Sequence, residues 1–457
     1  MNPNSDVKVE VFQNEYLPEG GRVVDAVVTV TMGEGAGARR PGPTASAAEV
    51  IMIDVSGSMH GDKIVAAKNA ACVAIDTIRD GVSFAIIAGT SDARVIFPGG
   101  RHLASASGRT RSDAKAAVRR LSANGGTNFS AWLTAAHGLF AASRAEIRHA
   151  ILLTDGENGD REDDFQRVLN HCAGVFVCDS RGVGDGWRAR DLIKVAETLL
   201  GTADGIKDSR HLAEDFRQMT ENAMGKTVAD VALRVWTPGG SRIRFVKQVF
   251  PDINDLTARR AEVSARVGDY PTGAWGAESR DYHLCVEVAP GAVGEEVLAA
   301  RVSLVHQDEI LGQGLVRAVW TDDLAAATVI NRKVADYSDQ AELAQAIQEG
   351  LSARAAGDVT TATARLGRAV QLAAASGRED TAKVLGTVVE IVDAATGTVR
   401  LKSRSENREV DVDAEIAAVG SRKTRRVRPT EKDPTCLSAP RATSRRPTTT
   451  ATTAAPP

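Results

Sequence analysis

Residues 49–59 read EVIMIDVSGSM, and the reading of the whole chain turns on them. The apolar run Val50–Ile53 drives straight into Asp54, and Ser56 and Ser58 follow at alternate positions. An uninterrupted apolar run suits a strand covered on both faces, as in a parallel sheet flanked by helices. In such sheets ligands bind beyond the carboxyl ends of the strands. One carboxylate and two hydroxyls placed there are hard oxygen donors, the kind that suit Mg²⁺ or a similar divalent cation.

Three donors fall short of the roughly six oxygens that such an ion takes. Two further loops can supply more. NGGTNFS, residues 124–130, places Thr127 after two glycines and ahead of a helical stretch, and LLTDGE, residues 152–157, places Asp155 at the end of another apolar run. If these strands are parallel, all three loops lie on one edge of the sheet.

The flanking pattern supports that geometry. Ile64, Ala67, Ala71, Ile75 and Ile78 have helical spacing over 62–79; SFAIIAGT and ARVIF are further apolar runs. Helical stretches at 114–121, 130–143, 163–171, 189–200 and 212–224 alternate with the strands HAILLTDG and GVFVCD. Apolar strands alternating with helices predict an α/β, doubly wound, mostly parallel sheet over residues 46–226.

Outside that span the period is two. Residues 7–11 and 23–31 alternate, and so do ADVALRVW, RIRFVKQVF, AEVSARV, DYHLCVEVA, EVLAARVSLVH and GLVRAVW between 229 and 320. These predict an antiparallel β-sandwich over 227–325. Two N-terminal strands are marginal alone, so residues 1–45 are expected to complete this sandwich, with the α/β domain inserted into it and GEGAGARRPGPTAS (33–46) as a linking loop. Residues 335–420 read as a small helical domain. Asp339 and Glu342 have capping-box spacing, Leu343, Ala346, Ile347, Gly350 and Leu351 form a stripe, 359–376 makes a second helix, and a third carries Val384, Leu385, Val388, Ile391 and Val392 inward. Residues 421–457 read as a basic and Thr/Pro-rich tail without the apolar content to fold.

The 457-residue chain is 43% hydrophobic and 25% charged, with a net charge of -3. The balance is uneven: from 421 onward there are nine Lys/Arg against two acids, so the remainder is acidic. An acidic folded part argues against nucleic acid as a partner. No run approaches the roughly 18 apolar residues of a membrane span, and the first residues lack the basic and apolar regions of a signal peptide. Five cysteines in a chain this long make no disulfide framework; Cys172 and Cys178, six apart, read as buried thiols on one face of a strand. Together these features favour a cytoplasmic protein with no membrane partner.

Asp54-x-Ser56-x-Ser58, then Thr127, then Asp155 in a TDG turn resembles the metal-ion-dependent adhesion site of von Willebrand factor type A (vWA) domains. The resemblance covers about 48–225, with all five motif positions in order. It implies a metal centre in which Ser56, Ser58 and Thr127 bind the ion directly while Asp54 and Asp155 act through water or hydrogen bonds. It also implies a cofactor of Mg²⁺ or another divalent cation such as Mn²⁺, and a partner protein whose Asp or Glu carboxylate completes the metal's shell. Met59, His60, Gly126 and Gly156, which flank the motif, are expected to form the rim. A type A domain nested in a β-sandwich and followed by helices resembles soluble bacterial members of this superfamily. Some relatives continue into a cysteine-rich metal ribbon and a phosphopeptide-binding domain, near kinase and phosphatase signalling. Here one cysteine, Cys436, occupies that region, too few for a four-ligand site.

Sharper chemical readings fail on particular residues. Phosphatases that use a strand-end aspartate need a second aspartate where this chain has Ser56. A serine nucleophile needs a positioned base, and His60 fits a rim residue better. GVGDGW (182–187) begins like a dinucleotide loop, but Trp187 stands at the third glycine position. SRKTRRVR (421–428) fits a solvated basic tail. The expectation is therefore a non-enzymatic, metal-dependent protein-binding module in intracellular signalling or complex assembly. The alternative is an accessory subunit of a separate ATPase of chelatase type, separate because the chain has no G-x-x-x-x-G-K-[ST] loop.

Overall fold

The computed structural model describes residues 6–36, 46–402 and 408–427. Most of the loop 33–46, Cys436 and the tail expected to be disordered from about 429 lie outside the described residues.

The chain begins with β1 (Val7–Gln13), β2 (Tyr16–Pro18) and β3 (Val23–Met32). It then enters a seven-stranded sheet. The sheet is made by β4 (Ala47–Asp54), β5 (Ser83–Gly89), β6 (Ala93–Phe97), β7 (Ala104–Ser105), β8 (Ile147–Thr154), β9 (Val177–Val183) and β10 (Ala203–Ile206). Between these strands run α1 (Asp62–Thr77), α2 (Gly108–Arg119), α3 (Phe129–Ala141), α4 (Glu162–Cys172) and α5 (Ala189–Thr198), and α6 (Leu212–Met224) follows them. The order is β10-β9-β8-β4-β5-β6, with β7 beside β5; β5, β4, β8, β9 and β10 run parallel, and β6 and β7 are antiparallel.

Both faces of this sheet are covered, which is why β4 reads as a continuous apolar run. Val50 and Met52 pack with Phe129, Trp132 and Leu169 on one side. Ile51 and Ile53 pack with Ala67, Ala71 and Phe216 on the other. β4 thus sits at the centre, with Asp54 at its carboxyl end.

The chain continues through β11 (Val228–Trp236), β12 (Arg242–Phe250), β13 (Asn254–Asp255), β14 (Ala261–Ser264), β15 (Val267–Trp275), β16 (Glu278–Glu287), β17 (Glu296–His306) and β18 (Glu309–Thr321). One sheet has the order β1-β3-β16-β12-β13 and the other β14-β15-β11-β17-β18-β2. β3 pairs antiparallel with β16 from Val23↔Glu287 to Met32↔Glu278. Their inner faces share one core that includes Val28, Leu233, Tyr282, Val302 and Trp320.

After α7 (Leu324–Thr328) come α8 (Arg332–Ala356), α9 (Val359–Ala375), α10 (Glu379–Val388), β19 (Val389–Asp393), β20 (Thr398–Leu401) and α11 (Arg408–Gly420). Three expectations need correction here. α8 starts at Arg332 because the Asn331 side chain caps it by accepting from the Lys333 and Val334 amides, so Asp339 lies inside the helix and not at its cap. Ile391 and Val392 belong to the β19–β20 hairpin, not to a third helix. Cys172 ends α4 while Cys178 lies in β9, so they do not share a strand, although both are buried.

The basic run at 421–427 is not a solvated tail. It lies across the junction of all three parts. Arg422, largely buried, pairs with Glu197 of α5 and donates to the Ile253 carbonyl; Lys423 pairs with Asp204 of β10. Thr424 Oγ1 donates to the Val249 carbonyl at 2.6 Å, and the Arg425 amide donates to Gln340 Oε1 at 3.1 Å. These charges are consumed in folding contacts, which the composition alone does not reveal.

Candidate functional site

β4 delivers Asp54 fully buried at the carboxyl edge of the sheet. Its Oδ1 accepts the Ser56 amide at 2.7 Å and its Oδ2 accepts the Thr154 hydroxyl at 2.6 Å. Ser56 Oγ and Ser58 Oγ are 3.0 Å apart, and Ser58 Oγ donates to Asp155 Oδ1 at 2.7 Å. A continuous hydrogen-bonded chain therefore runs Asp54–Ser56–Ser58–Asp155. The backbone carrying the serines is fixed by Gly57 N donating to the Gly125 carbonyl at 2.9 Å and Asn124 N to the Val55 carbonyl at 2.7 Å.

The Thr127 loop is fastened to the loop that follows β8. Asn158 Oδ1 accepts the Phe129 amide at 3.1 Å and Asp160 Oδ2 accepts the Ser130 amide at 2.7 Å. These carboxylate and amide oxygens satisfy orphan donors at the start of α3. Gly159 N also donates to the Thr127 carbonyl at 2.7 Å. Thr127 itself is buried.

Gly156 shows how tightly the oxygens converge. A Cβ at this position would lie 3.1 Å from Thr127 Oγ1, 3.4 Å from Ser58 Oγ and 3.9 Å from Asp54 Oδ2. Oxygens from two separate loops thus face, beside a third, one small volume that glycine leaves open. Together with Ser56 and Asp155, which are hydrogen-bonded to Ser58, they make a donor set of two carboxylates and three hydroxyls, a hard and compact group suited to a small divalent cation. Among the described residues no group of three or more His, Cys, Asp or Glu is placed to hold a metal, so any ion here depends on the hydroxyls as well as the carboxylates.

The two carboxylates of the site are buried, while Ser58 at its mouth is exposed. Burial pushes the Asp54 carboxyl above its ordinary value, against the opposing pull of its hydrogen bonds from Ser56 and Thr154, and the nearby Asp155 charge adds to the rise. Asp155, also fully buried, has a counter-charge: Lys63 Nζ of α1 donates to Asp155 Oδ2 at 2.8 Å and to Asp185 Oδ1 at 3.1 Å. Burial works against the Lys63 ammonium, but Asp155 and Asp185 outweigh it and hold its pKa above the usual lysine value.

Asp54, Ser58 and Thr127 border this volume, and Ser56 and Asp155 are joined to Ser58 by hydrogen bonds. The rim residues fare differently. Gly156 is in the cradle itself, Gly126 is exposed beside it, and His60 is exposed with its Nδ1 against the Gly57 carbonyl. Met59 is not on the rim: the turn at 57–59 is 3-10, which rotates its side chain into the core under α1, where it is fully buried. Sequence reasoning missed Thr154, Lys63 and Asp185. Thr154 stood inside the quoted LLTDG and could have been found by asking what pairs a buried carboxylate.

The GVGDGW loop also belongs here. Gly186 has no room for a Cβ, which would fall 2.4 Å from the Asp155 carbonyl oxygen, and Trp187 is buried beneath with its Nε1 donating to the Gly184 carbonyl at 3.1 Å. At the opposite edge of the sheet a separate cavity of about 580 Å³ lies against the β-sandwich, lined by Asp179, Arg181, Lys226, Glu278, Arg280 and Arg422. It does not touch the oxygen cluster.

Comparison with known proteins places this geometry. A model of the von Willebrand factor type A domain matches residues 48–204, and one of the von Willebrand factor type A C-terminal domain matches 371–413. The solved structure of a von Willebrand factor type A protein from Catenulispora acidiphila is 50% identical, with a TM-score of 0.85, covering 93% of this chain and 99% of that one. The chain belongs to the von Willebrand factor type A family. This vWA protein also shares its fold with the ArnB paralog VWA2 of Sulfolobus acidocaldarius, at 15% identity and a TM-score of 0.57, covering 91% of this chain and 98% of that one. An uncharacterised protein of Synechocystis is 26% identical over 232 residues, 49% of this chain. The aligned region spans about half, 53%, of that curated relative's length. Among the described residues no helix is long and apolar enough to cross a membrane.

Proposed function

We propose that this vWA protein is a non-enzymatic binding module that holds a divalent cation, Mg²⁺ or Mn²⁺, and through it grips an Asp or Glu side chain of a partner protein. The observation that carries this reading is the convergence of Thr127 Oγ1, Ser58 Oγ and Asp54 Oδ2 on the space at Gly156, beside Asp155. Asp54 and Asp155 balance a doubly charged ion, while Ser56, Ser58 and Thr127 bring oxygen without charge. An ion so held keeps its Lewis acidity for an incoming anionic oxygen. The chain's own contribution is to keep the donors pre-positioned: Thr154 orients Asp54, Asn158 and Asp160 hold the Thr127 loop, and the GVGDGW loop braces Asp155. The β-sandwich and helical part then act as a rigid mount, laced to the type A domain by residues 421–427. Its setting is cytoplasmic, in signalling or complex assembly, and neither nucleic acid nor membrane is a partner.

The test is calorimetric titration of Mg²⁺ and Mn²⁺ into wild type and Asp54→Ala, paired with affinity capture in Mg²⁺ and in chelator. Wild type should bind ion and Asp54→Ala should not, and the captured protein should be lost in chelator and when its critical Asp or Glu becomes Asn or Gln. A wild type that binds neither ion, or capture that survives chelator unchanged, overturns the reading.

A further inference from the structure

Lys63 stands where a lysine is disfavoured. Helix N-termini carry roughly half a positive charge and disfavour cations, yet Lys63 is the second residue of α1, after Asp62, and the N-cap Gly61 offers no side chain. The molecule is shaped to keep it there. Its ammonium is 2.8 Å from Asp155 Oδ2 and 3.1 Å from Asp185 Oδ1, with Asp155 fully buried and the Asp185 side chain 39% exposed. The lysine arm runs against Gly184, whose φ of +74° favours glycine: a Cβ there would fall 2.8 Å from Lys63 Cε and 3.1 Å from its Nζ. The GVGDGW loop thus lies along the lysine arm on one side and is pressed against the Asp155 turn on the other. A cation of the protein's own is already seated on one of the two carboxylates that would balance a divalent ion.

We propose that Lys63 is a built-in competitor for the divalent cation: its ammonium neutralises Asp155 while the site lacks an ion and shifts onto Asp185 when the site is loaded, so that Lys63 and Asp185 together set the ion concentration at which the site becomes competent. This rests on the metal-centre reading above. Without Lys63 the buried Asp54 and Asp155 would repel each other in the ion-free protein. With it, one of the two negative charges is cancelled, and a divalent ion must displace that interaction. Asp185, at the solvent edge and within reach of the same ammonium, gives the displaced charge a resting place, so the lysine stays beside the site, where its charge adds to the attraction for an incoming carboxylate.

The test is a double-mutant cycle on the full chain, using wild type, Lys63→Met, Asp185→Asn and the double variant, with Mg²⁺ and Mn²⁺ titrated by calorimetry and melting followed in chelator. Lys63→Met should bind both ions roughly tenfold more tightly, the effect of removing a unit charge a few ångströms from the ion. Asp185→Asn should bind them several-fold more weakly. The double variant should match Lys63→Met alone, because Asp185 acts through the lysine and the two effects do not add. Lys63→Arg, which keeps the charge, should stay close to wild type. In chelator Lys63→Met should melt below wild type. Unchanged or weaker ion binding by a folded Lys63→Met variant overturns the proposal. So does an Asp185→Asn effect that is the same with and without Lys63, since a plain long-range field would give that result. A wild type that binds neither ion sinks the metal reading itself, whereas a wild type that binds and a Lys63→Met variant that binds no better sink only the role of the lysine.

Discussion

The Lys333 ammonium of α8 lies 3.1 Å from Asp281 Oδ2 of β16, with both side chains almost wholly removed from solvent. Lys333 Nζ also donates to Thr29 Oγ1 of β3 and sits 4.5 Å from the centre of the Phe12 ring, while the Tyr337 hydroxyl donates to Asp281 Oδ2 at 2.6 Å. One buried carboxylate therefore seats the first two turns of α8 on the outer face of the β1–β3–β16 sheet. Removing one member of a buried ion pair strands the other charge, at a cost of about 3–5 kcal/mol. Asp281→Ala should lower unfolding stability by that order. Asp281→Leu combined with Lys333→Met should cost clearly less, because no charge is left uncompensated. Urea denaturation of the three proteins decides it; equal losses would mean that the pair carries no buried charge penalty.

His149 should make stability fall as pH rises. Its Nδ1 lies 2.9 Å from both Glu49 oxygens and its Nε2 3.1 Å from Asp179 Oδ2, at the edge of the sheet opposite the oxygen cluster. Burial opposes the imidazolium, but Glu49 and Asp179, one on each ring nitrogen, override it and hold the pKa at about 10 against an ordinary 6.5. A folded-state pKa above the unfolded one contributes stability that is fully present below the unfolded value and is lost as pH climbs through the folded one. The window is thus from about 6.5 to about 10. Wild type should lose on the order of 2–4 kcal/mol between pH 7 and pH 10, and His149→Gln should show a much flatter profile. Proton NMR should find the His149 ring still charged at pH 8. A ring that titrates near 6.5 removes the argument.

How much of this was legible depended on how local the cause was. The parallel sheet was readable because β4 must be apolar on both faces, and Val50, Ile51, Met52 and Ile53 say so without help from the rest of the chain. Asp54, Ser56, Ser58 and Asp155 could be singled out because hydroxyls and carboxylates at strand ends have few other reasons to be there. Met59 was misplaced because adjacency to Ser58 in sequence was taken for adjacency in space, whereas the 3-10 turn at 57–59 carries its side chain into the core. Ile391 and Val392 fitted a helical stripe equally well, and only the tight turn before Thr398, at Gly397 with φ +70°, separates a hairpin from a helix. Lys63, Arg422 and Lys423 were out of reach for another reason. Their partners, Asp155, Glu197 and Asp204, are 92 to 225 residues away, and a charge carries no mark in sequence of whether its counter-charge is water or a distant carboxylate.

Arg422 should hold the three parts of the molecule together. It is largely buried, pairs with Glu197 and donates to the Ile253 carbonyl, while its own carbonyl accepts the Ile253 amide at 2.8 Å. It therefore links α5 of the type A domain to the segment between β12 and β13 of the sandwich. Arg422→Ala strands the Glu197 carboxylate less severely, since that side chain is 43% exposed, but it removes a buried bidentate anchor. We expect a loss of about 1–3 kcal/mol, with the type A domain and the sandwich beginning to melt separately in calorimetry. A single transition at the wild-type temperature would show that the strap is incidental.

Gly156→Ala is the sharpest test of the oxygen cluster, because it adds one methyl group and removes nothing. The alanine Cβ would lie 3.1 Å from Thr127 Oγ1, closer than ordinary van der Waals contact, and 3.4 Å from Ser58 Oγ, at its near limit, and both oxygens are the ends of short side chains with little freedom to yield. Gly156 is not in the left-handed region, so alanine meets no backbone strain there. The polypeptide can shift by a few tenths of an ångström, so the fold should survive with a loss of about 1–2 kcal/mol, within the cost of modest overpacking. The space between Thr127, Ser58 and Asp54 cannot survive, since the methyl group occupies it. Calorimetry should therefore show at least a hundredfold weaker Mg²⁺ and Mn²⁺ binding by Gly156→Ala, with an unchanged circular dichroism spectrum. Gly159→Ala is a control in the same loop: its Cβ would meet Asn128 Oδ1 and the Thr127 carbonyl at 3.0 Å, outside the cluster of hydroxyls. It should strain the loop to a similar degree but weaken ion binding far less. If the two variants lose affinity equally, the ion depends on the loop's rigidity alone and the volume at Gly156 is not where it sits.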